Sequence, residues 1–328
     1  MITANTELVE KLVGARVLVT GATGFIGAQL VAQLVSIGAS VAIVYRDSSK
    51  LDRLANLLPQ LVAIEADLED WMAVKNAVQI IRPQFVFHLG ARVNVSRDPH
   101  MSRAMMQTNL NGTMHLLLAL EGVDYQCFVN SGTCEEYGDN PVPFHESQVV
   151  NPVSPYSASK AAATVFCKML HKTVNSPIVT VRPFLTFGPN QNLDRLLPQA
   201  IMAALQNRNL PMTGGQQTRE FNYVTDIVDG YLRAAIYPAA LGETINLGNG
   251  QPHTLREVVR LIYRLTESKG EPKFGEMPYR TGEAFEFYCD NTKARNLLQW
   301  QPQVSLHEGL QRTIAWYRER KDTGACVK

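Results

Sequence analysis

Short apolar runs alternate along the first half of the chain with longer stretches in which apolar residues return every three or four positions. Arg16–Thr20, Val41–Tyr45, Leu61–Ile64, Phe85–His88, Cys127–Asn130 and Ile178–Val181 read as buried strands. Between the first two, Ile26–Gly38 places Ile26, Leu30, Val31, Leu34 and Val35 at helical spacing. Further helices are expected near Asp70–Ile81, Ser102–Leu120 and Ser157–His171. Such alternation predicts an α/β fold with a doubly wound parallel sheet. From about Gln191 the rhythm loosens, interrupted by Pro198, Pro211, Gly214 and Gly215. The pattern therefore divides the chain into a nucleotide-binding part, residues 14–190, and a smaller, partly interleaved C-terminal substrate lobe, residues 191–320.

The chemistry begins where the first strand meets the first helix. Gly21-Ala22-Thr23-Gly24-Phe25-Ile26-Gly27 is a Gly-x-x-Gly-x-x-Gly turn in strand–turn–helix context. Small residues there let backbone N–H groups and the helix dipole approach a pyrophosphate, as in dinucleotide-binding (Rossmann) sheets. Read alone, the same residues make a glycine-rich turn without a ligand.

Several βα units later come Ser131 and Thr133, and then Tyr156-Ser157-Ala158-Ser159-Lys160. An unperturbed phenol is a poor base at neutral pH. An ammonium one helical turn away, at i+4, favours the phenolate, so Lys160 is expected to lower the pKa of Tyr156. Ser131 or Thr133 would hold a substrate oxygen as its charge changes. With a dinucleotide site upstream, this set points to hydride transfer at a carbon bearing a hydroxyl or carbonyl. A bare Tyr-x-x-x-Lys is otherwise an exposed helical pair. Cofactor choice turns on the end of the second strand, Val44-Tyr45-Arg46-Asp47-Ser48-Ser49-Lys50. Arginine there pairs with the 2′-phosphate of NADP, whereas an acid accepts the ribose hydroxyls of NAD. Arg46 favours NADP; NAD, served by Asp47, is the alternative.

In order along the chain, Thr20–Gly27, Asp67-Leu68, His88–Ala91, Asn109, Ser131 with Thr133, Tyr156 with Lys160, Arg182-Pro183-Phe184, Arg219–Asp226 and Tyr279–Glu283 resemble an extended short-chain dehydrogenase/reductase of the nucleotide-sugar epimerase/dehydratase family. The resemblance runs from Val17 to about Tyr317. It implies a cofactor site of Gly21, Thr23, Gly24, Phe25, Ile26, Gly27, Arg46, Asp67, Leu68, Leu89, Ala91, Asn109 and Pro183, with Lys160 on the nicotinamide ribose and Tyr156 beside it. Asp67 would accept from the adenine amino group; without the resemblance, it reads equally as a helix N-cap. Arg219 and Arg280 would clamp the diphosphate of a nucleotide sugar, a task suited to guanidinium forks.

The run Thr133-Cys134-Glu135 is where family members differ. Sugar 4,6-dehydratases carry Thr-Asp-Glu or Thr-Ser-Glu there, with the glutamate as base, and Cys134 is a poor substitute for the acid. Glu135 is kept as a catalytic candidate, and Glu135-Glu136-Tyr137-Gly138 resembles the run of some 4-keto-sugar reductases. Leu185 stands where many relatives have a substrate-contacting asparagine. The resemblance thus implies an NADP(H)-dependent oxidoreductase acting at C4 of a nucleotide-activated sugar, with reduction of a 4-keto sugar nucleotide preferred. A 4,6-dehydratase, 4-epimerase or decarboxylase that uses the cofactor transiently remains open. So does a non-catalytic NADP-sensing protein. The resemblance implies a homodimer formed through two helices per subunit; the apolar faces of Met105–Leu120 and Ala161–Leu170 could serve, or could equally pack within the subunit.

Composition narrows the partners. The 328 residues are 45% hydrophobic and 19% charged, ordinary for a globular enzyme. A net charge of +1 gives no electrostatic basis for a nucleic-acid or membrane surface. Residues 1–11 lack a signal-peptide plan and no apolar run reaches the length of a membrane span. Five scattered cysteines without metal spacing suggest a reducing, cytoplasmic setting and no bound metal.

Overall fold

A computed structural model of the chain describes residues 6–322, apart from 47–50, 95, 280 and 281. Seven parallel strands form the central sheet: β1 (Arg16–Thr20), β2 (Ser40–Tyr45), β3 (Val62–Glu65), β4 (Phe85–His88), β5 (Cys127–Ser131), β6 (Ile178–Pro183) and β7 (Thr244–Leu247). Their spatial order is β7-β6-β5-β4-β1-β2-β3. The direction of winding reverses between β1 and β4, which is where open α/β sheets form their ligand crevice.

Alternate side chains of each strand enter different layers. In β1, Val17 and Val19 join a core with Leu30, Val31, Phe85, Phe87 and Ile227. Leu18 joins Val74, Val78, Val86, Leu116 and Phe128 on the opposite face. Helix α1 (Phe25–Ile37) covers the first face and ends at Gly38, whose left-handed φ of 90° lets its N–H return to Leu34 and Val35. Helix α2 (Trp71–Ile81) starts at Asp70, which accepts from Met72 N and Ala73 N. On the same side a helical stretch passes from Ser102–Met105 through a π-helical segment, Met106–Asn111, into Gly112–Ala119. The long helix α3 (Pro155–Val174) is set by a capping box between Ser154 and Ser157 with proline in its first turn, and stops at left-handed Asn175.

Two expectations from the sequence change here. Leu61–Ile64 was expected to be a buried strand. β3 instead closes the sheet at an edge, pairs only with β2, and leaves Val62 about half exposed. The loosened rhythm after Gln191 also hides three elements of the main sheet layer: helix α4 (Val224–Ile236) and the short helix Thr292–Leu298, both packed in the first core, and β7, paired with β6. The remaining C-terminal residues build a lobe around Phe187, Ile201, Phe221, Val259, Ile262, Leu310 and Tyr317. Its helices are Leu196–Leu205, Leu255–Leu265 and Leu306–Asp322, with short strand pairs beside them.

Candidate active site

A cleft of about 760 Å³ opens at the C-terminal ends of the strands, between the sheet and the lobe. Its floor is the glycine turn. Gly21 has φ 69°, and a Cβ there would lie 2.5 Å from the Leu89 carbonyl carbon; a Cβ on Gly27 would lie 2.1 Å from Gly21 O. No other residue allows this turn so close to the β4 loop. Gly24 is the N-cap of α1 and offers no side-chain acceptor, and the first turn holds no acid. The helix N-terminus is therefore a donor set waiting for an anion. Thr23, Gly24, Phe25, Ile26 and Gly27 all face the cleft, as do Arg46, Leu68, Leu89, Ala91 and Pro183. This lining of small residues, open N–H groups and apolar side chains fits a dinucleotide.

Two residues expected at the cofactor also make contacts within the protein. Asp67 accepts from Glu69 N at 2.9 Å and does not line the cleft. The cap of the next helix is Asp70. Asn109, wholly buried in the π-helical segment, accepts from Arg92 N at 2.7 Å and donates to Arg92 O at 3.0 Å and to Ser159 Oγ at 2.9 Å. It latches the loop carrying Leu89 and Ala91 onto α3. His88 continues that latch. Thr113 donates to Asn109 O, leaving its oxygen to accept from His88 Nε2, and Nδ1 accepts from Thr20 Oγ1, which also accepts from Gly90 N. Burial, with a smaller push from Lys160, lowers the His88 pKa to about 3, so the ring is neutral.

Ser131, Thr133, Tyr156 and Lys160 converge on the opposite wall of the cleft. Tyr156 is buried and hydrogen-bonded to Thr133. The expected effect of Lys160 on it is not what the structure shows. Burial raises the Tyr156 pKa far above the ordinary phenol value; Thr133 opposes this, while Cys134, Glu135 and Glu136 add to it. Lys160 is itself almost fully buried, with its own pKa lowered by burial and supported by Glu136. Burial thus favours the phenol form of Tyr156, a proton donor.

The residue after Glu135 is the structural keystone. Glu136 takes Arg182 Nε and Nη2 at 3.1 and 2.8 Å on one carboxylate oxygen, and Thr133 N and Thr164 Oγ1 at 2.9 and 3.2 Å on the other. Both partners of this ion pair are buried, so every lone pair used here compensates a desolvated charge. Arg182 also lies over the Tyr137 ring, 4.5 Å from its centroid. Glu135 itself lies outside the cleft lining, turned toward Arg219 and Arg97, and burial raises its carboxyl pKa against their pull. Cys134 is buried, and burial pushes its thiol well up, with Glu135 and Glu220 adding to the shift.

Three residues not read from the sequence enter the site. Tyr231, on α4, places its hydroxyl 2.5 Å from Ser131 Oγ, and both residues line the cleft. Arg53 reaches the phosphate turn from a short 3-10 turn after β2. Glu136 governs Thr133 as described. No periodicity marks Tyr231 or Arg53, since each acts across a tertiary contact, whereas the Thr-x-x-Glu spacing of Thr133 and Glu136 is a local capping box that the sequence could have shown. Of the substrate arginines, Arg219 donates to Glu283 at 3.1 Å and to Ala284 O at 2.7 Å and lies over Phe287. Arg280 lies outside the described residues, as does Asp47. Among the described residues no group of His, Cys, Asp or Glu is placed to hold a metal ion, and no helix is long and apolar enough to cross a membrane.

A family model described as GDP-mannose 4,6 dehydratase matches residues 18–313. A UDP-glucose 4-epimerase of Mycolicibacterium smegmatis is 32% identical over 320 residues, spanning 93% of this chain and 99% of that protein. A dTDP-glucose 4,6-dehydratase of Haemophilus influenzae is 29% identical over 330 residues, spanning 92% and 97%. Among solved structures, UDP-glucose 4-epimerase of Thermotoga maritima with UDP-glucose is similar at a TM-score of 0.86 and 28% identity, over 93% of this chain and 99% of that one. UDP-glucuronic acid 4-epimerase of Bacillus cereus, solved with UDP-glucuronic acid and NAD, gives 0.82 and 26%, over 92% and 99%. The glycine turn, the Tyr156–Lys160 pair and these full-length likenesses lead to one conclusion: the chain belongs to the nucleotide-sugar epimerase/dehydratase family of extended short-chain dehydrogenases/reductases and is an enzyme.

Proposed function

We propose that the enzyme reduces a 4-keto sugar nucleotide at C4, with NADPH as the reductant. The observation that carries this reading is the placing of Tyr156 in the cleft wall beside Ser131, Thr133 and Lys160, buried so that the phenol is favoured. Epimerases and dehydratases must first take the proton of a C4 hydroxyl, which calls for a phenolate; a reductase must deliver one. Cys134, a protonated thiol, is at the place where dehydratases carry an acid for the leaving hydroxyl. Arg46 at the rim of the cleft supports NADP over NAD.

Bound on the glycine turn, the cofactor would supply the hydride. The chain does the rest. Lys160 would hold the ribose, Ser131 and Thr133 would take the C4 oxygen, and Tyr156 would protonate it as its charge grows. Arg219 and Arg280 would hold the diphosphate, Arg219 exchanging Glu283 for phosphate oxygens. The lobe of residues 191–320, less α4, β7 and the helix Thr292–Leu298, would close over the sugar. Incubation with nucleotide sugars and their 4-keto forms, followed by NADPH absorbance and product mass, tests the reading. Stoichiometric NADPH consumption with a two-hydrogen mass gain is expected. Turnover without consumption would sink it, and the mass change would name an epimerase, dehydratase or decarboxylase instead.

That second reading has one observation in its favour: Glu135 sits at the position of the dehydratase base, and burial raises its carboxyl pKa. We also propose a homodimer. Met105, Leu116, Leu117 and Leu120 pack inside the subunit, but Leu118, Val165 and Met169 remain exposed on the two expected helices. Val165→Glu is expected to give a monomer in light scattering; an unchanged mass would exclude this face.

A further inference from the structure

Arg53 lines the cleft, and the chemistry proposed above gives its charge no task. It follows the end of β2 on a single 3-10 turn, Asp52–Leu54, anchored by Leu54, which is wholly buried. With its backbone held there, the side chain extends into the cleft and meets three oxygens. Nη1 donates to Thr23 O at 3.2 Å, Nε to Asn190 O at 3.1 Å and Nη2 to Asn192 Oδ1 at 2.5 Å. All three acceptors are neutral. Among the described residues no carboxylate lies at ion-pairing distance from it, and two of the five N–H groups of the guanidinium have no acceptor. Burial lowers its pKa from the ordinary arginine value, and Tyr317 and Asp52 offset this only in part. A partly desolvated cation held by neutral dipoles is a poor arrangement by itself, and a good one if an anion completes it.

The place of that anion follows from Thr23. Its carbonyl, which accepts from Arg53, belongs to the same turn whose following N–H groups, at the start of α1, lack a side-chain acceptor. An anion seated on those donors lies beside the guanidinium. The cleft there is also lined by Arg46, while Asn190 and Asn192 belong to the loop that enters the lobe. We propose that Arg53 is a ligand for a phosphate group of the bound dinucleotide, and that in binding it the residue also ties the phosphate turn to the 190–192 loop. The proposal rests on the reading of this cleft as a nicotinamide dinucleotide site. The phosphate comes from one of two sources, the pyrophosphate bridge or the 2′-phosphate of NADP.

Calorimetric titration of the whole protein with NADP+, NAD+ and 2′,5′-ADP, with no sugar substrate, tests it for the wild type, Arg53→Gln and Arg53→Lys. Loss of a charge-assisted contact is expected to weaken NADP+ binding by about tenfold or more in Arg53→Gln. It should also flatten the dependence of Kd on salt, and Arg53→Lys, which keeps the charge, should recover most of the loss. If NAD+ weakens equally, the group bound is the pyrophosphate. If the loss is confined to NADP+ and 2′,5′-ADP, it is the 2′-phosphate. The proposal is overturned if Arg53→Gln binds NADP+ within twofold of wild type. It is equally overturned if Gln and Lys variants lose affinity alike with unchanged salt dependence, which marks a strut only. A wild type that binds neither dinucleotide would instead remove the cofactor reading beneath it.

Discussion

Tyr156 shows how one side chain is set by its surroundings. The i+4 lysine argument treats phenol and ammonium as an exposed pair, whereas both are buried, and burial opposes the charged form of each. Tyr156→Phe is expected to lower reductive turnover by about 10²–10⁴-fold with cofactor affinity unchanged, since the hydroxyl serves the proton and not the dinucleotide. With the pKa raised, the acid form persists through the neutral range. The reductive kcat should therefore stay flat from pH 6 to 9, while any reverse oxidation rises with pH; a reductive rate falling between pH 7 and 8 would contradict this assignment. Ser131 is tuned from further away. A phenol is the stronger donor, so Tyr231 gives its hydrogen to Ser131 Oγ, and the serine hydrogen, only weakly engaged by Gly132 O at 3.4 Å, stays available to a substrate oxygen. Tyr231→Phe should cost about tenfold in kcat with little change in KM, yet nothing further in a Ser131→Ala background. Full additivity would show that Tyr231 acts only through packing.

Between elements, the site is assembled by buried polar chains. The series Gly90, Thr20, His88, Thr113, Asn109 joins the ends of β1 and β4 to the π-helical segment and fixes the loop that faces the cofactor. It works only with neutral histidine, and this gives a sign to the acid sensitivity. The folded pKa of His88, about 3, lies below its unfolded value of 6.5, so its contribution is complete above pH 6.5 and is lost as pH falls toward 3. At about 1.4 kcal/mol per unit, about 2 kcal/mol is lost by pH 5. Urea unfolding of the wild type and His88→Gln at pH 7 and 5 should show the variant with the shallower pH dependence; parallel slopes would mean that other groups carry the effect. The Glu136–Arg182 pair is a second chain, linking the turn after β5 to β6 and thereby holding Thr133.

At the scale of the whole molecule, the cleft lies between the sheet and the lobe, so a ligand that spans it should stabilise the fold. Saturation with NADP+ at about 100 times Kd is expected to add about 2.7 kcal/mol, visible as a rise of a few degrees in Tm. NAD+ at equal concentration should give less if Arg46 and Arg53 serve a 2′-phosphate; a larger shift with NAD+ would reverse the cofactor preference. Much of this was legible in the chain alone. Strand and helix periods specify the alternating layers because period 2 and period 3.6 are local properties, and Gly21 and Gly27 announce the phosphate turn because a Cβ at either would run into backbone. The tertiary structure decided the rest: that α4 and β7 return to the sheet, that Asn109 latches a backbone, that Tyr231 and Arg53 reach the cleft, and that Tyr156 stays protonated. These depend on burial and on partners brought together by folding, from Asn109 and Ser159 to Ser131 and Tyr231 or Arg53 and Asn190. A sequence pattern records which side chains are apolar and how often they recur, but desolvation and long-range contact arise only once the chain has closed on itself.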